Sequence, residues 1–161
     1  MIDRIDSEIL KILQSNSRTS NAEIARQVDL APSAVFERIR KLEERGVIES
    51  YGARVNPKVM GLPLLAFVFI RADDRRADEA AARVAAIPEV LEVHDVAGED
   101  CLLAKVRAAD TEALGRLLRE RLQSIDSITS TRTTIVLETV KESSALPLET
   151  AAPPLPESVR V

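Results

Sequence analysis

The residues with chemistry to offer fall into two groups. In the first half, Ser33, Ala34, Glu37, Arg38, Arg40 and Lys41 share one stretch with Val35, Ile39 and Leu42, which recur at intervals of three and four. That spacing predicts a helix with the three apolar residues inward, turning Ser33, Ala34, Glu37, Arg40 and Lys41 outward or to the flanks and leaving Arg38 and Arg45 at the edge of the buried stripe. Ser33 and Glu37 can address base edges, Ala34 can touch a thymine methyl, and Arg38, Arg40 and Lys41 suit phosphates or guanine. Arg18 and Arg54 would add backbone contacts from flanking segments. Solvation alone is the other reading of such a charged face, and Arg38 has a second use as a group packed against the first helix. In the second half, Gly98-Glu99-Asp100-Cys101 and the hydroxyls of Ser130, Thr131 and Thr133 form a second polar group. Its plainer reading is a hairpin turn and a run of β-formers.

Composition narrows what these groups can be. The chain has 161 residues, 1 Cys and 1 His, so neither a disulfide framework nor a zinc site of three or four Cys/His ligands can be assembled within it. Cys101 reads as a small packed hydrophobe rather than a nucleophile, because His94 lies on the preceding strand with nothing to bring the two together. Only Phe36, Phe67, Phe69 and Tyr51 are aromatic, too few for the stacking platforms that bind single strands. The start, Ile2-Asp3-Arg4-Ile5-Asp6, lacks the basic and apolar regions of a signal peptide, and Leu62–Ile70 is too short to span a bilayer as a helix. The chain therefore reads as cytoplasmic, with no membrane partner. The net charge of -4 hides an uneven distribution, with ten Lys/Arg against nine Asp/Glu in residues 1–60 but eleven against fifteen in residues 61–142. A near-neutral N-terminal unit can still present a basic face to phosphate.

The elements that must position these residues follow from periodicity. Ile2, Ile5, Ile9, Ile12 and Leu13 predict a helix over 3–14, with Asp3 and Asp6 at its positive end. Ser20-Asn21-Ala22-Glu23 has the spacing of a capping box, with Glu23 expected to return a bond to the Ser20 amide at the start of a short second helix. Pro32 suits the first turn of a third helix, and Gly46 supplies its C-terminal cap. Residues 47–55 read as two short strands around a turn. Asn56-Pro57 opens a linker, after which strands over 62–70, 90–96, 102–106 and 130–140 and helices over 78–87 and 111–122 give the order βαββαβ. The fold class is α+β: a winged helix-turn-helix over 1–54, a linker over 55–61, and a ferredoxin-like βαββαβ domain over 62–142. The Pro-bearing stretch 143–161 reads as a flexible tail. An open sheet with helices on one face needs cover on the other, which predicts at least a dimer.

Read in order, Ile-Asp-Ser-Glu-Ile-Leu-Lys-Ile-Leu-Gln, Arg-Thr-Ser-Asn-Ala-Glu-Ile-Ala, Ala-Pro-Ser-Ala-Val-Phe-Glu-Arg-Ile-Arg-Lys-Leu-Glu-Glu-Arg-Gly-Val-Ile and Tyr-Gly-Ala-Arg within residues 3–54 resemble the DNA-binding domain of the Lrp/AsnC (leucine-responsive/asparagine-responsive) family of transcriptional regulators. Gly98-Glu99-Asp100-Cys101-Leu102-Leu103 and Ser130–Leu137 resemble that family's ligand-sensing domain, so the likeness spans about residues 2–142. It implies sequence-specific binding of double-stranded DNA by dimers that assemble into tetramers, octamers or larger rings. It also implies control by a small molecule, usually an amino acid, held between subunits near the turn at Gly98–Cys101; no cofactor and no metal are expected. In that role Gly98 permits close backbone approach, Glu99 or Asp100 takes the ammonium, and Ser130, Thr131 and Thr133 donate hydroxyls if the last strand runs beside the turn. The sequence departs from the family in two places. Ala31 stands where many members have a Ser cap, and Cys101-Leu102 stands where many have Asp and an aromatic. The alternative is an effector-gated module whose first domain binds protein rather than DNA. A catalytic role has no second group to support it.

Overall fold

The computed structural model describes residues 2–98 and 100–148. The chain forms two compact units, Val55–Lys141 and a first unit in which residues 2–54 are joined by residues 142–148.

The first unit is built from helices α1 (Arg4–Ser15), α2 (Asn21–Val28) and α3 (Pro32–Glu44). Each start has a local cause. Asp3 caps α1, its carboxylate accepting the Asp6 amide at 2.7 Å while Asp6 accepts the Asp3 amide at 3.2 Å, a reciprocal capping box. Ser20 caps α2 by accepting the Glu23 amide, but the Glu23 carboxylate turns to Arg26 and Gln27 instead of returning to Ser20, because two donors one turn along its own helix compete for it. Asp29 makes the turn into α3 in the left-handed conformation, φ 53°, which Asp tolerates better than bulkier residues. Helix α3 ends in a Schellman motif: Gly46 at φ 66° donates to the Glu43 carbonyl at 2.9 Å, and Val47 donates to Leu42 at 2.8 Å. Ile9, Ile24, Ala25, Val28, Val35 and Ile39 form the core, so the 3.6-residue spacing of each helix converges on one small apolar centre.

The expected wing is not a paired hairpin, since residues 49–56 form no strand. Two strands alone bury too little to hold their ladder. Tyr51 instead donates its hydroxyl to Glu43 at 2.8 Å. Nor is the whole segment after residue 142 free of the fold. The Gln14 side-chain amide donates to the Leu146 carbonyl at 3.2 Å and accepts the Leu146 amide at 2.6 Å. Residues 149–161 lie outside the described residues.

The second unit is a four-stranded antiparallel sheet in the order β2-β3-β1-β4, from β1 (Leu64–Ala72), β2 (Val90–Asp95), β3 (Leu102–Ala108) and β4 (Ile128–Ile135). Helix α4 (Ala77–Ala85) follows a single 3-10 turn, and α5 (Thr111–Arg116) continues into a π-helical run, Leu117–Leu122. Both helices pack on one face. Ala66, Val68 and Ile70 of β1 and Ala104 and Val106 of β3 meet Ala80, Val84, Leu114, Leu117 and Leu122 there. The alternate residues Phe67 and Phe69 are half-buried on the other face. The apolar run at 62–70 thus reads as a central strand, because β1 lies between β3 and β4 and both of its faces carry side-chain contacts. Among the described residues no helix is long and apolar enough to cross a membrane.

Candidate functional site

Helix α3 displays the first group of residues. Val35, Ile39 and Leu42 are buried, Ser33, Glu37, Arg40 and Lys41 are exposed, and Ala34 is half-buried beside them. Arg40 is held along its own helix by Glu37 at 2.9 Å and by Glu44, one turn away on either side. These are solvated pairs that exchange readily for a phosphate. Lys41 carries no such partner among the described residues and lies in an open groove of about 420 Å³ with Asp6, Ala34, Glu37, Arg38, Leu42 and Arg45. Ala31 precedes the helix in an extended conformation, and among the described residues no side chain caps the first turn. The orphan amide end is therefore open to an anion.

Arg38 borders the same groove, but its guanidinium is engaged by carboxylates. Its guanidinium turns back to the start of α1, where Nη1 lies 2.6 Å from Asp3 Oδ2 and 2.7 Å from Asp6 Oδ1. The Asp6 amide and, after it, Arg38 hold the Asp3 carboxyl below the usual carboxylate range, and the two carboxylates raise Arg38 further. Its place at the edge of the buried stripe explains the difference, since that edge faces the neighbouring helix. Arg18 is exposed in the turn before α2, where Asn16 holds its amide. Arg54 is exposed too, but pairs with Glu142, donating to the carboxylate at 3.0 Å and to the carbonyl at 2.9 Å. Sequence periodicity could not show that pairing, which spans 88 residues.

The second group is brought to one end of the sheet and then divided. Cys101 closes the β2–β3 turn against β1: its amide donates to the Ile70 carbonyl at 3.1 Å, and its sulfur accepts the Ala72 amide at 3.0 Å. The thiol is thus occupied with packing. Thr131 pairs with Ile70 and Thr133 with Val68, so both lie on the helix-covered face, whereas Ser130 pairs with Arg71 and shares the opposite face with Arg132. The three hydroxyls therefore do not converge, because a strand's period of two sends neighbours to opposite sides. Strand β1 also separates β4 from the turn. Gly98 adopts φ 154°, a conformation that favours glycine, and Glu99 lies outside the described residues.

Asp100 is not an unengaged acceptor. Arg132 reaches across β1 to it, 2.9 Å from Nη2 to Oδ2, with the guanidinium 4.1 Å above the Phe69 ring centroid. The arrangement was not visible in the sequence, although an Arg alone among Ser and Thr in β4 was a signal that could have been weighed. The Asp100 side chain is 17% exposed and that of Arg132 is 64% exposed. One end of the open sheet face thus carries a negative and a positive group over an aromatic floor. His94 pairs with Leu103 on that face and lies within 3.3 Å of Glu92, consistent with a strand residue and no more.

Comparison with known proteins agrees with this architecture. Residues 2–49 match the model of a winged helix-turn-helix DNA-binding domain, and residues 65–146 match the Lrp/AsnC ligand binding domain. The chain is 36% identical over 148 residues to the HTH-type transcriptional regulator FL11 of Pyrococcus horikoshii, covering 92% of this chain and 97% of the relative. It is 38% identical over 152 residues to the leucine-responsive regulatory protein of Escherichia coli, covering 92% and 93%. Among solved structures, a transcriptional regulator of Neisseria meningitidis in complex with L-Met superposes with a TM-score of 0.87 at 31% identity, covering 91% of this chain and 97% of the other. With both halves matched in order and nearly the full length aligned, the chain belongs to the Lrp/AsnC family of transcriptional regulators.

Proposed function

We infer that this protein is a sequence-specific DNA-binding transcriptional regulator that responds to a small molecule, an amino acid, through changes in DNA binding or assembly. The observation that carries the DNA half is the exposed face of α3. It offers Ser33, Ala34 and Glu37 to base edges, Lys41 and Arg40 to phosphate, and an uncapped amide end to a further phosphate. Arg18 and Arg54 are further candidates for backbone contact, the latter after exchange of Glu142 for phosphate. Exposed apolar residues in the second unit, Val59, Met60, Leu137 and Val140, support assembly with further copies, at least as a dimer and then as a tetramer or octamer. No catalytic role is assigned.

The effector half rests on chemistry at the Asp100 end of the sheet. An amino acid is a zwitterion, and Asp100 beside Arg132 presents one group for its ammonium and one for its carboxylate, with Gly98 allowing close approach and Cys101 and Phe69 providing apolar surface. Glu99, Ser130, Thr131 and Thr133 stay candidates around it. The complex of the N. meningitidis relative with L-Met makes an apolar amino acid the first to test.

The test is quantitative binding to a duplex spanning the protein's own upstream region, at two salt concentrations and with a panel of free amino acids. Saturable binding that falls steeply with salt and is shifted by one amino acid is the expected outcome. Loss of that shift in Asp100→Asn, with DNA binding kept, would locate the effector. Failure to prefer any genomic duplex over scrambled DNA, or salt-insensitive behaviour, would favour a protein-binding first domain instead.

A further inference from the structure

We propose that Arg38 is a positioning residue that locks the DNA-reading helix to the start of α1, and that it makes no contact with DNA itself. The inference rests on the DNA reading of α3 given above. Three observations carry it. The guanidinium meets two carboxylates, at 2.6 and 2.7 Å, one of them on Asp6, whose side chain is only 10% exposed. Swinging Arg38 out to a phosphate would leave that buried carboxylate without its cation, the costly half of breaking such a pair. The cluster of Arg38, Asp3 and Asp6 is itself net negative, so within the groove it shares with Lys41 and Arg45 a phosphate is drawn to those two cations rather than to Arg38. Finally, Asp3 and Asp6 are themselves fixed by the reciprocal cap of α1, so the pair joins two helix positions already set by backbone bonds. A bond from α3 to the first turn of α1, spanning 35 residues of chain, sets the helix's rotation about its own axis more tightly than its apolar stripe alone. That rotation decides which of Ser33, Glu37 and Lys41 face a groove.

The two roles for Arg38 differ in sign and in salt dependence. A phosphate contact contributes a slope of roughly 0.9 in log K against log salt, whereas a brace contributes none. Removing a carboxylate frees a phosphate-binding Arg and tightens DNA binding, but it loosens a brace and weakens it. The experiment measures DNA affinity of the full chain across a salt series for Arg38→Ala, Arg38→Lys, Asp6→Asn and Asp3→Asn. Measurements are made at a temperature where circular dichroism shows each variant folded. Asp3→Asn keeps an oxygen for the α1 cap, so it isolates the charge from the helix start. The expected result is about tenfold weaker binding for Arg38→Ala and for Asp6→Asn with an unchanged slope, a smaller loss for Asp3→Asn, and partial recovery in Arg38→Lys. A slope reduced by about 0.9 in Arg38→Ala, or tighter binding by Asp6→Asn, would overturn the proposal while leaving DNA binding established. Absence of saturable binding by the unaltered chain would overturn the DNA reading itself, and the positioning role with it.

Discussion

Replacing Ile24 tests whether the small first unit is the fragile partner on which DNA binding depends. Ile24 is fully buried in a core of six residues, Ile9, Ile24, Ala25, Val28, Val35 and Ile39, on the helix that packs against α3. Ile→Val in such a position costs about 1 kcal/mol, and Ile→Ala costs roughly 2–5 kcal/mol because the cavity adds to the lost transfer energy. A unit of this size has on the order of 3–8 kcal/mol of stability in total. Ile24→Val should therefore lower its unfolding midpoint by roughly 4–8 °C, and Ile24→Ala should leave much of the unit unfolded at growth temperature. The second unit has its own core around Val68, Ile70, Val84 and Leu122 and should keep its midpoint. The assay is amide hydrogen exchange read peptide by peptide, beside DNA binding measured on the same preparations. Loss of protection confined to residues of α1–α3, with DNA affinity falling in step from Val to Ala, is the expected pattern. Equal loss of protection in β1 and β3 would refute the independence of the two cores, and undiminished DNA binding by Ile24→Ala would refute the assignment of DNA contact to this unit.

Three further outcomes follow from single residues. Tyr51 is the only tyrosine, and burial together with its bond to Glu43 pushes its pKa up to about 12, so its phenolate absorbance should emerge well above the ordinary range near pH 10. Because the neutral form is favoured in the folded state, this group's contribution is fully present below pH 10 and is lost as pH rises from there through about 12; a midpoint at the ordinary value would mean the Glu43 bond is not formed. Ala31→Ser should stabilise the first unit by about 1 kcal/mol by supplying the missing cap of α3, and thermal unfolding without any upward shift would contradict the cap geometry. Ser127 is fully buried with no partner for its hydroxyl among the described residues, so Ser127→Ala should be neutral or stabilise the second unit by about 1 kcal/mol, as read from denaturant midpoints.

What was legible in the sequence was what repeats over a few residues. The stripe of Val35, Ile39 and Leu42, the Ser20 cap, Pro32 and Gly46 at the ends of α3, and the alternation along β3 each follow from backbone periods that a reader of the chain can count. The strand pairing expected over 47–55 is absent by the same logic. Residues 47–55 have strand-like composition, but a ladder needs neighbours that no local pattern supplies. Charge was the least legible feature, since Arg38, Arg40 and Lys41 look alike in sequence yet meet, respectively, another helix, their own helix, and no carboxylate among the described residues.

The sequence by itself determined the order of elements, their approximate lengths and the faces they bury, because those properties arise from steric preference and apolar spacing within one or two turns of chain. The tertiary structure alone decided the partners of long charged side chains. Arg38 is joined to Asp3 and Asp6, and Arg132 to Asp100, across more than 30 positions in each case. It also decided that Thr131 and Ser130 serve opposite faces of one sheet. Such pairings depend on where folded elements end up in space, and an ion pair has no period from which that place could be read.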